Sequence, residues 1–273
     1  MRVKEFEISS YNDVESIVNK IRMRRIPQLF SGAELYKQEY YRGQSKNIEN
    51  FKLRPFIAHN LSDPIELKSI ELKMFDEFRE FVAHSDQSEF IRKSADNFAY
   101  FKEWELLWQA QHFGLPTRLM DWTMEFKVAL FFAVGYPKDD SEDGQFWVLS
   151  VKEEYQDNNK YSFLNSNPFD FEKTRFINPY FNDQNDFDNH FGEIRRSRQF
   201  GQFLFQNYQN SLIPLEEQEE FIPYLEKFII PKNKKPEIRS VLFEIGYTED
   251  FLLPHKDLTI QNEIGIIKNK YFK

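Results

Sequence analysis

A fifteen-residue stretch, Gln109–Thr123 (QAQHFGLPTRLMDWT), sets the order of elements in the middle of the chain. Aromatic residues at helical spacing lead into it, and Gly114 and Pro116 end that run, which predicts a helix over residues 97–112. Its last three residues, DWT, resemble a helix cap, and the apolar segment Ala129–Ala133 (ALFFA) follows. We therefore predict a second helix after this signature stretch, with an irregular turn between the two helices.

Outward from the signature stretch, strand and helix signals are mixed. Asp63-Pro64-Ile65-Glu66 is a strong helix start, because an acceptor stands at the cap, proline at the first position and glutamate at the third. Residues 155–190 are rich in Asn, Asp and Phe and predict a long irregular excursion. The predicted strands are residues 3–8, 39–44, 145–151, 202–206 and 226–230. Three other helices are predicted: one begins near residue 14, one begins at residue 64, and one spans residues 234–246.

This order predicts an α+β fold, in which a mixed central sheet is flanked by helices. With 273 residues and no convincing linker, the chain is expected to form a single domain over residues 1–273, with its signature region at about 38–135. The mean hydropathy is only -0.65. However, 30 Phe, 13 Tyr and 4 Trp supply enough bulky rings for a large core.

Composition and charge exclude several classes of function. The chain has no cysteine, so disulfides, thiolate zinc sites, iron–sulfur clusters and cysteine nucleophiles are excluded. The five histidines are dispersed, and no GxxxxGK[ST], GxGxxG or GxSxG motif occurs. A net charge of -8 argues against a mainly electrostatic grip on nucleic acid. The start of the chain does not resemble a signal peptide and no apolar run is long enough to span a membrane, so we expect a cytoplasmic protein.

Arg42 is the first candidate for binding chemistry. It lies in Arg42-Gly43-Gln44 at the end of a predicted strand, and glycine allows a ligand to approach the backbone closely. A guanidinium is a planar, permanently charged fork suited to phosphate or carboxylate. The alternative is a buried arginine paired with Asp121 or with a glutamate.

The signature stretch supplies further candidates, each with a structural alternative. Arg118 and Asp121 are three residues apart, so they can bind a ligand or bridge each other and lock the turn. Thr117 and Thr123 offer hydroxyl groups to a ligand or to the local backbone.

Two rings of the same stretch complete the candidate set. His112 ends a predicted helix, where it either lines a site or caps carbonyl groups. Trp122 either packs in the core or stacks on a nucleobase or a nicotinamide ring.

Two segments resemble the FRG domain. The first is Tyr41-Arg42-Gly43-Gln44 followed by Leu53-Arg54-Pro55, and the second is the signature stretch with its ALFFA continuation. The domain takes its name from an aromatic-Arg-Gly triplet, and a long AQH-aromatic-GLPTRLLDWT string is similar to residues 109–123. The stretch around Gln199–Phe203 and Phe228-Ile229-Ile230-Pro231 fit the downstream pattern. This resemblance implies a prokaryotic protein.

More distantly, the order of elements resembles the ADP-ribosyltransferase superfamily. That resemblance implies NAD as substrate, with Arg42, flanked by Gly43 and Gln44, on its diphosphate or ribose. It implies that Thr117, Trp122 and Asp121 line the nicotinamide side, with His112, Arg118 and Thr123 also at the cofactor. The implied target is a macromolecule, protein or nucleic acid, as expected for a toxin or a phage-defence effector.

The late strand departs from this superfamily pattern, since Gln199 stands where a catalytic glutamate is expected. An amide can position a ribose hydroxyl but cannot stabilise a developing cation as a carboxylate does. Either Glu193 or Asp121 supplies the acid, or the site binds a nucleotide or nucleic-acid end without turnover. A third possibility is that the signature stretch is only a core turn of the fold.

Overall fold

The computed structural model describes residues 2–31, 36–49, 51–97, 102–135, 138–152, 155, 166–177, 198–253 and 258–272. Within these ranges the fold is α+β, with one mixed seven-stranded sheet and flanking helices, as the sequence predicts. The strands are β1 (Lys4–Glu7), β2 (Tyr36–Gln44), β3 (Met120–Thr123), β4 (Gly144–Lys152), β5 (Arg175–Ile177), β6 (Gly201–Phe205) and β7 (Leu225–Ile230).

The helices carry most of the chain between the strands. They are α1 (Tyr11–Ser31), α2 (Pro64–His84), α3 (Glu89–Asn97), α4 (Lys102–His112), α5 (Phe126–Val134), α6 (Tyr208–Ser211), α7 (Lys235–Glu244), α8 (Glu249–Leu252) and α9 (Leu258–Tyr271). Short 3-10 turns lie at Phe56–Ala58, Asp86–Ser88, Pro168–Asp170, Leu215–Glu217, Ile222–Tyr224 and Lys232–Lys234.

The strand order is β1-β7-β4-β2-β3-β6-β5. Strand β1 runs parallel to β7, and the other neighbouring strands are antiparallel. Strands β2 and β4 stay in register from Gln38 to Gln44, after an irregularity between Tyr36 and Gln38, whereas β2 and β3 share only the pair Tyr41↔Thr123. The sheet therefore divides into two halves at the seam between β2 and β3.

Three apolar clusters cover the sheet and its helices. One lies between α1, α5, α7 and the β2-β4-β7 half, with Phe146 fully buried in it. A second is formed by the opposite face, where Trp122 and Trp147 pack. The third joins α2, α3, α4 and α9 to β6 and contains Trp104 and Trp108.

Helix α2 begins as predicted. The Asp63 carboxylate accepts hydrogen bonds from the backbone N–H groups of Ile65 (3.1 Å) and Glu66 (3.3 Å). These two donors have no partner inside the helix, so the side chain satisfies them.

The helix predicted over residues 97–112 is found as α4, which begins at Lys102; Asn97 is the last residue of α3, and residues 98–101 lie outside the described residues. Two other predictions of secondary structure are wrong. Asp121-Trp122-Thr123 is not a helix cap but part of β3, which pairs with β6. The N-cap of α5 is Glu125, whose carboxylate accepts a hydrogen bond from the backbone N–H of Lys127 at 3.1 Å. The excursion predicted over residues 155–190 includes the edge strand β5; apart from residues 155 and 166–177, it lies outside the described residues.

Candidate active site

The packing of α5 on the sheet creates the floor of the candidate site. A Cβ atom at Gly43 would lie 1.7 Å from the Ala129 carbonyl oxygen, and one at Gly144 would lie 2.4 Å from the Ala133 oxygen. Both distances are far inside contact range, so only glycine fits at either position. The close approach that Gly43 permits is therefore that of the α5 backbone, whereas the sequence suggested a ligand.

A cavity of about 250 Å³ opens where β2 and β3 part. Strands β2, β3 and the start of β6 form its walls, with α5 and the end of α4 closing it. Seven of the residues predicted from the sequence line it, namely Arg42, Gly43, His112, Asp121, Trp122, Thr123 and Gln199. The other lining residues are Tyr41, Gln111, Val128, Ala129, Phe132, Gly201 and Phe203.

Arg42 spans the seam. Its Nη1 donates to the backbone carbonyl of Asp121 across the opening between β2 and β3. Its Nε is buried and has no hydrogen-bond partner among the residues described. Burial lowers the pKa of Arg42, and the nearby Asp121 charge partly offsets this. Part of the fork therefore remains unsatisfied, which fits a group that binds an anion.

The Asp121 carboxylate is exposed and lies at the cavity. Gln111 Nε2 donates to its Oδ2 at 2.9 Å, and Thr117 Oγ1 donates to Gln111 Oε1 at 2.8 Å. Thr117 is buried and Gln111 is half-buried, so these two hydrogen bonds orient the Asp121 carboxylate from the interior of the protein. Sequence reasoning missed Gln111, although its place in the AQH motif of the signature stretch is a signal that could have indicated it.

Thr123 and Gln199 are joined directly. Thr123 Oγ1 donates to the Gln199 carbonyl oxygen at 2.6 Å, and it also accepts from Glu125 N at 3.0 Å. The Gln199 amide Nε2 donates to the Leu252 carbonyl oxygen at 2.9 Å. These bonds fix the segment before β6 against β3 and α8.

The two rings predicted for the site have different surroundings. Trp122 is only 2% exposed and meets Phe176 edge-on, at 6.3 Å between ring centroids. Its indole Nε1 is buried without a hydrogen-bond partner in the described ranges. His112 is half-buried at the last position of α4, where its ring meets that of Phe113 edge-on.

Four predicted residues do not line the cavity. Gln44 accepts a hydrogen bond from Trp147 Nε1 at 3.1 Å, on the sheet. Thr117 acts on the site only through Gln111. Arg118 lies in the interior, and Glu193 lies outside the described residues.

One alternative from the sequence was that Arg118 and Asp121 bridge each other, and this alternative is wrong. Arg118 Nε donates to Glu71 at 2.7 Å, and the two side chains are almost fully buried. Its other nitrogens donate to the carbonyl oxygens of Gln206 (3.1 Å) and Pro168 (3.0 Å), and its guanidinium carbon lies 3.4 Å from the Tyr208 ring centroid. With its donors taken up inside the protein, Arg118 holds the fold together and is not available to a cofactor.

The described part of the chain contains neither a candidate metal site nor a candidate membrane-spanning helix. No group of three or more His, Asp or Glu side chains there could hold a metal ion. No helix there is both long and apolar enough to cross a bilayer.

Comparison with known proteins identifies part of the chain. Neither curated proteins nor solved structures gave a significant match. The family model of the FRG domain matches residues 37–142, a range that begins within β2 and includes the whole signature stretch and α5. Most of the cavity wall, from Arg42 to Phe132, falls within this match. The chain therefore contains an FRG domain, over residues 37–142.

Proposed function

We propose that the cavity binds NAD and that the protein transfers ADP-ribose from it to a macromolecule, a protein or a nucleic acid. The observation that carries the proposal is the convergence of Arg42, Thr123 and Gln199 at one cavity, from β2, β3 and the segment before β6. This convergence agrees with the resemblance of the sequence to ADP-ribosyltransferases.

The size of the cavity suggests how NAD would lie. At about 250 Å³ it is slightly below the range of roughly 300–1,000 Å³ typical of small-molecule sites. It is suited to the nicotinamide ring and its ribose, with Val128 and Phe132 of α5 as apolar walls. The diphosphate would then lie at Arg42, whose Nε is unsatisfied in the described structure.

Asp121 is the best candidate for the acidic group. In the proposed reaction the bond between ribose C1′ and the nicotinamide nitrogen breaks, nicotinamide leaves with the electron pair, and positive charge develops at C1′. The target nucleophile then bonds to C1′ and loses its proton. A carboxylate stabilises the developing charge, and Asp121 is oriented for this by Gln111. We assign Gln199 to the ribose hydroxyls and retain Glu193 as a second candidate acid.

The proposal includes a biological role. We propose that the protein is a cytoplasmic effector of a prokaryote, a toxin or a phage-defence protein, which acts by modifying its target covalently.

The test combines thermal unfolding with an assay of nicotinamide release. Ligand at a hundred times its Kd stabilises the folded state by about 2.7 kcal/mol, so NAD should raise the Tm clearly. Arg42→Ala should abolish the shift and the release, whereas Asp121→Asn should keep the shift and lose the release. Arg79→Ala, in a surface ion pair on α2, is the control and should match the wild type. An unchanged Tm at millimolar NAD would remove the basis of the proposal.

A second function, nucleotide binding without turnover, is favoured by one observation. The resemblance to ADP-ribosyltransferases implies a catalytic acid where the neutral Gln199 stands, and the amide of Gln199 already donates to the Leu252 carbonyl oxygen. A Tm shift with NAD that is lost in Arg42→Ala, together with no nicotinamide release from the wild type, would favour this binding module over the enzyme.

A further inference from the structure

Three hydrogen bonds run in series from the interior to the Asp121 carboxylate. The backbone N–H of Leu119 donates to Thr117 Oγ1 at 3.1 Å, and the Thr117 hydroxyl donates to Gln111 Oε1 at 2.8 Å. Gln111 Nε2 then donates to Asp121 Oδ2 at 2.9 Å. Every donor in the series points toward the carboxylate, and hydrogen bonds aligned in this way polarise one another and strengthen the last bond.

The two ends of the series fix its direction. A backbone N–H can only donate, and an ionised carboxylate can only accept. Thr117 Oγ1 therefore accepts from Leu119, and its own proton is left for Gln111. Turning the Gln111 amide over would set its Oε1 against an Asp121 oxygen, and both of these atoms are acceptors. Only one arrangement satisfies all the groups, so the Asp121 side chain is held in a defined orientation.

The series begins in a rigid part of the protein. Thr117 and Leu119 are each 1% exposed, and they lie in the connection between α4 and β3. Arg118, between them, fixes this connection through its buried side chain and through its backbone N–H, which donates to Glu71 at 2.7 Å. Asp121, in contrast, is exposed and lines the cavity. An exposed acid is thus anchored to the core, which reduces the entropy lost when it meets a ligand.

Asp121 is held from two sides. Arg42, on β2, donates to its backbone carbonyl, and Gln111, on α4, donates to its Oδ2. In the proposed function the diphosphate binds Arg42 and draws it away from the Asp121 carbonyl. The bond from Gln111 does not involve Arg42, so it persists when the ligand binds. Among the described residues no group donates to Asp121 Oδ1, which leaves this oxygen open to the ligand.

We propose that Thr117 and Gln111 are positioning residues, which hold Asp121 Oδ2 from the interior so that Oδ1 stays directed at the reacting ribose after Arg42 has bound the ligand. The resemblance to ADP-ribosyltransferases implied that Thr117 lines the nicotinamide side, but Thr117 does not line the cavity and acts through Gln111. The inference rests on the proposed function, since the ribose is that of NAD. It adds a buried residue behind the site on which the rate of the reaction depends.

The test measures nicotinamide release from NAD by the full chain. Thr117→Val removes the hydroxyl but keeps a branched side chain, so that Gln111 loses its donor and Asp121 its fixed orientation. This variant should lower kcat by up to about a hundredfold, the effect of a small misplacement of a reacting group, and leave KM nearly unchanged. Thr117→Ser retains the hydroxyl and should recover most of the lost kcat. An equal kcat for Thr117→Val and the wild type would overturn the inference.

A double variant tests whether the two residues act in series. Gln111→Leu should also lower kcat, and adding Thr117→Val to it should lower kcat no further, because Thr117 acts only through Gln111. Losses that multiply would contradict the series. Ser88→Ala is the matched control, since the buried Ser88 hydroxyl donates to the carbonyl oxygens of Val82 (3.0 Å) and Ser85 (2.8 Å) and does not line the cavity. Its loss should lower the Tm but not kcat.

A second measurement does not require turnover. Nuclear magnetic resonance of the Gln111 side-chain amide should show slow proton exchange with water in the wild type and in Ser88→Ala, and faster exchange in Thr117→Val. If the wild type releases no nicotinamide, the proposed function fails, and the exchange rate then decides the inference. Faster exchange in Thr117→Val would support the hold on Asp121, whereas an unchanged rate would overturn it.

Discussion

Among single residues, the buried ion pair between Arg118 and Glu71 connects segments far apart in the sequence. Glu71 lies on α2, and Arg118 also contacts Gln206, Pro168, Phe205 and Tyr208. The charge of each partner is compensated only while the other is present.

We therefore predict that Arg118→Met or Glu71→Leu alone lowers the free energy of unfolding by about 3–5 kcal/mol, because each leaves an unpaired buried charge. The double variant should recover a substantial part of that loss. Urea denaturation of the two single variants and the double variant measures the coupling. Single variants within about 1 kcal/mol of the wild type would be inconsistent with this role.

Gly43 supports a second prediction at the same scale. In Gly43→Ala the new methyl group meets the Ala129 carbonyl oxygen, so α5 must move away from β2. Overpacking of this kind costs about 1–3 kcal/mol or more, and the displaced helix would also deform the cavity. Gly265→Ala is a matched control, since nothing lies within 4 Å of a Cβ there and its helix, α9, should gain up to about 1 kcal/mol. Chemical denaturation measures the free energy of unfolding of both variants, and equal values for the two would contradict the predicted clash at Gly43.

The sequence predicted which polar residues gather at the cavity better than it predicted their partners. Arg42, Asp121 and Thr123 could be identified because their residue types are uncommon in a core and lie beside glycine or within the signature stretch. The partner of Arg118 could not be identified, because Glu71 is one of many carboxylates and only the packing of α2 brings it within reach. Gln111 was missed for a similar reason, since its bond to Asp121 crosses from α4 to β3.

Among the elements, α2 was predictable and β3 was not. The start of α2 is specified by local chemistry at Asp63 and Pro64, which needs no distant contact. Strand β3 has only four residues, and its DWT sequence suits a helix cap equally well. Its pairing with β6, about 80 residues later, decides between the two.

The cap of α2 can be tested directly. We predict that Asp63→Ala lowers the stability by about 1 kcal/mol, because two N–H groups at the helix start lose their acceptor. Asp63→Asn should retain most of the wild-type stability, since an amide oxygen also accepts these bonds. Thermal unfolding of the two variants provides the comparison; an Asp63→Ala variant as stable as Asp63→Asn would show that the cap contributes little.

For the whole molecule, the mixed sheet was predictable and the strand order was not. The alternation of strand and helix signals indicates an α+β fold, but it contains no information on which strands are neighbours. Strand β1 lies beside β7 with Lys4 opposite Glu226, so segments that are far apart in the sequence meet in the sheet. Such a pairing depends on contacts that no local pattern records.

This arrangement predicts that the chain unfolds as one cooperative unit. The four tryptophans lie in the two apolar clusters that do not contain Phe146. Phe146→Ala should cost about 3–5 kcal/mol. If the chain is one unit, this substitution should lower the midpoint of tryptophan fluorescence and that of far-ultraviolet circular dichroism by the same amount. A fluorescence midpoint that stays at the wild-type value would show that the clusters unfold separately.

Strands β2 and β3 share a single residue pair, so the sheet is weakly connected between them. Beyond Tyr41 and Thr123, the described contact that bridges the opening is the bond from Arg42 to the Asp121 carbonyl. An anion that binds Arg42 competes with that carbonyl for the same guanidinium. In the proposed function, one side chain would therefore both bind the ligand and hold the two halves of the sheet together at the mouth of the cavity.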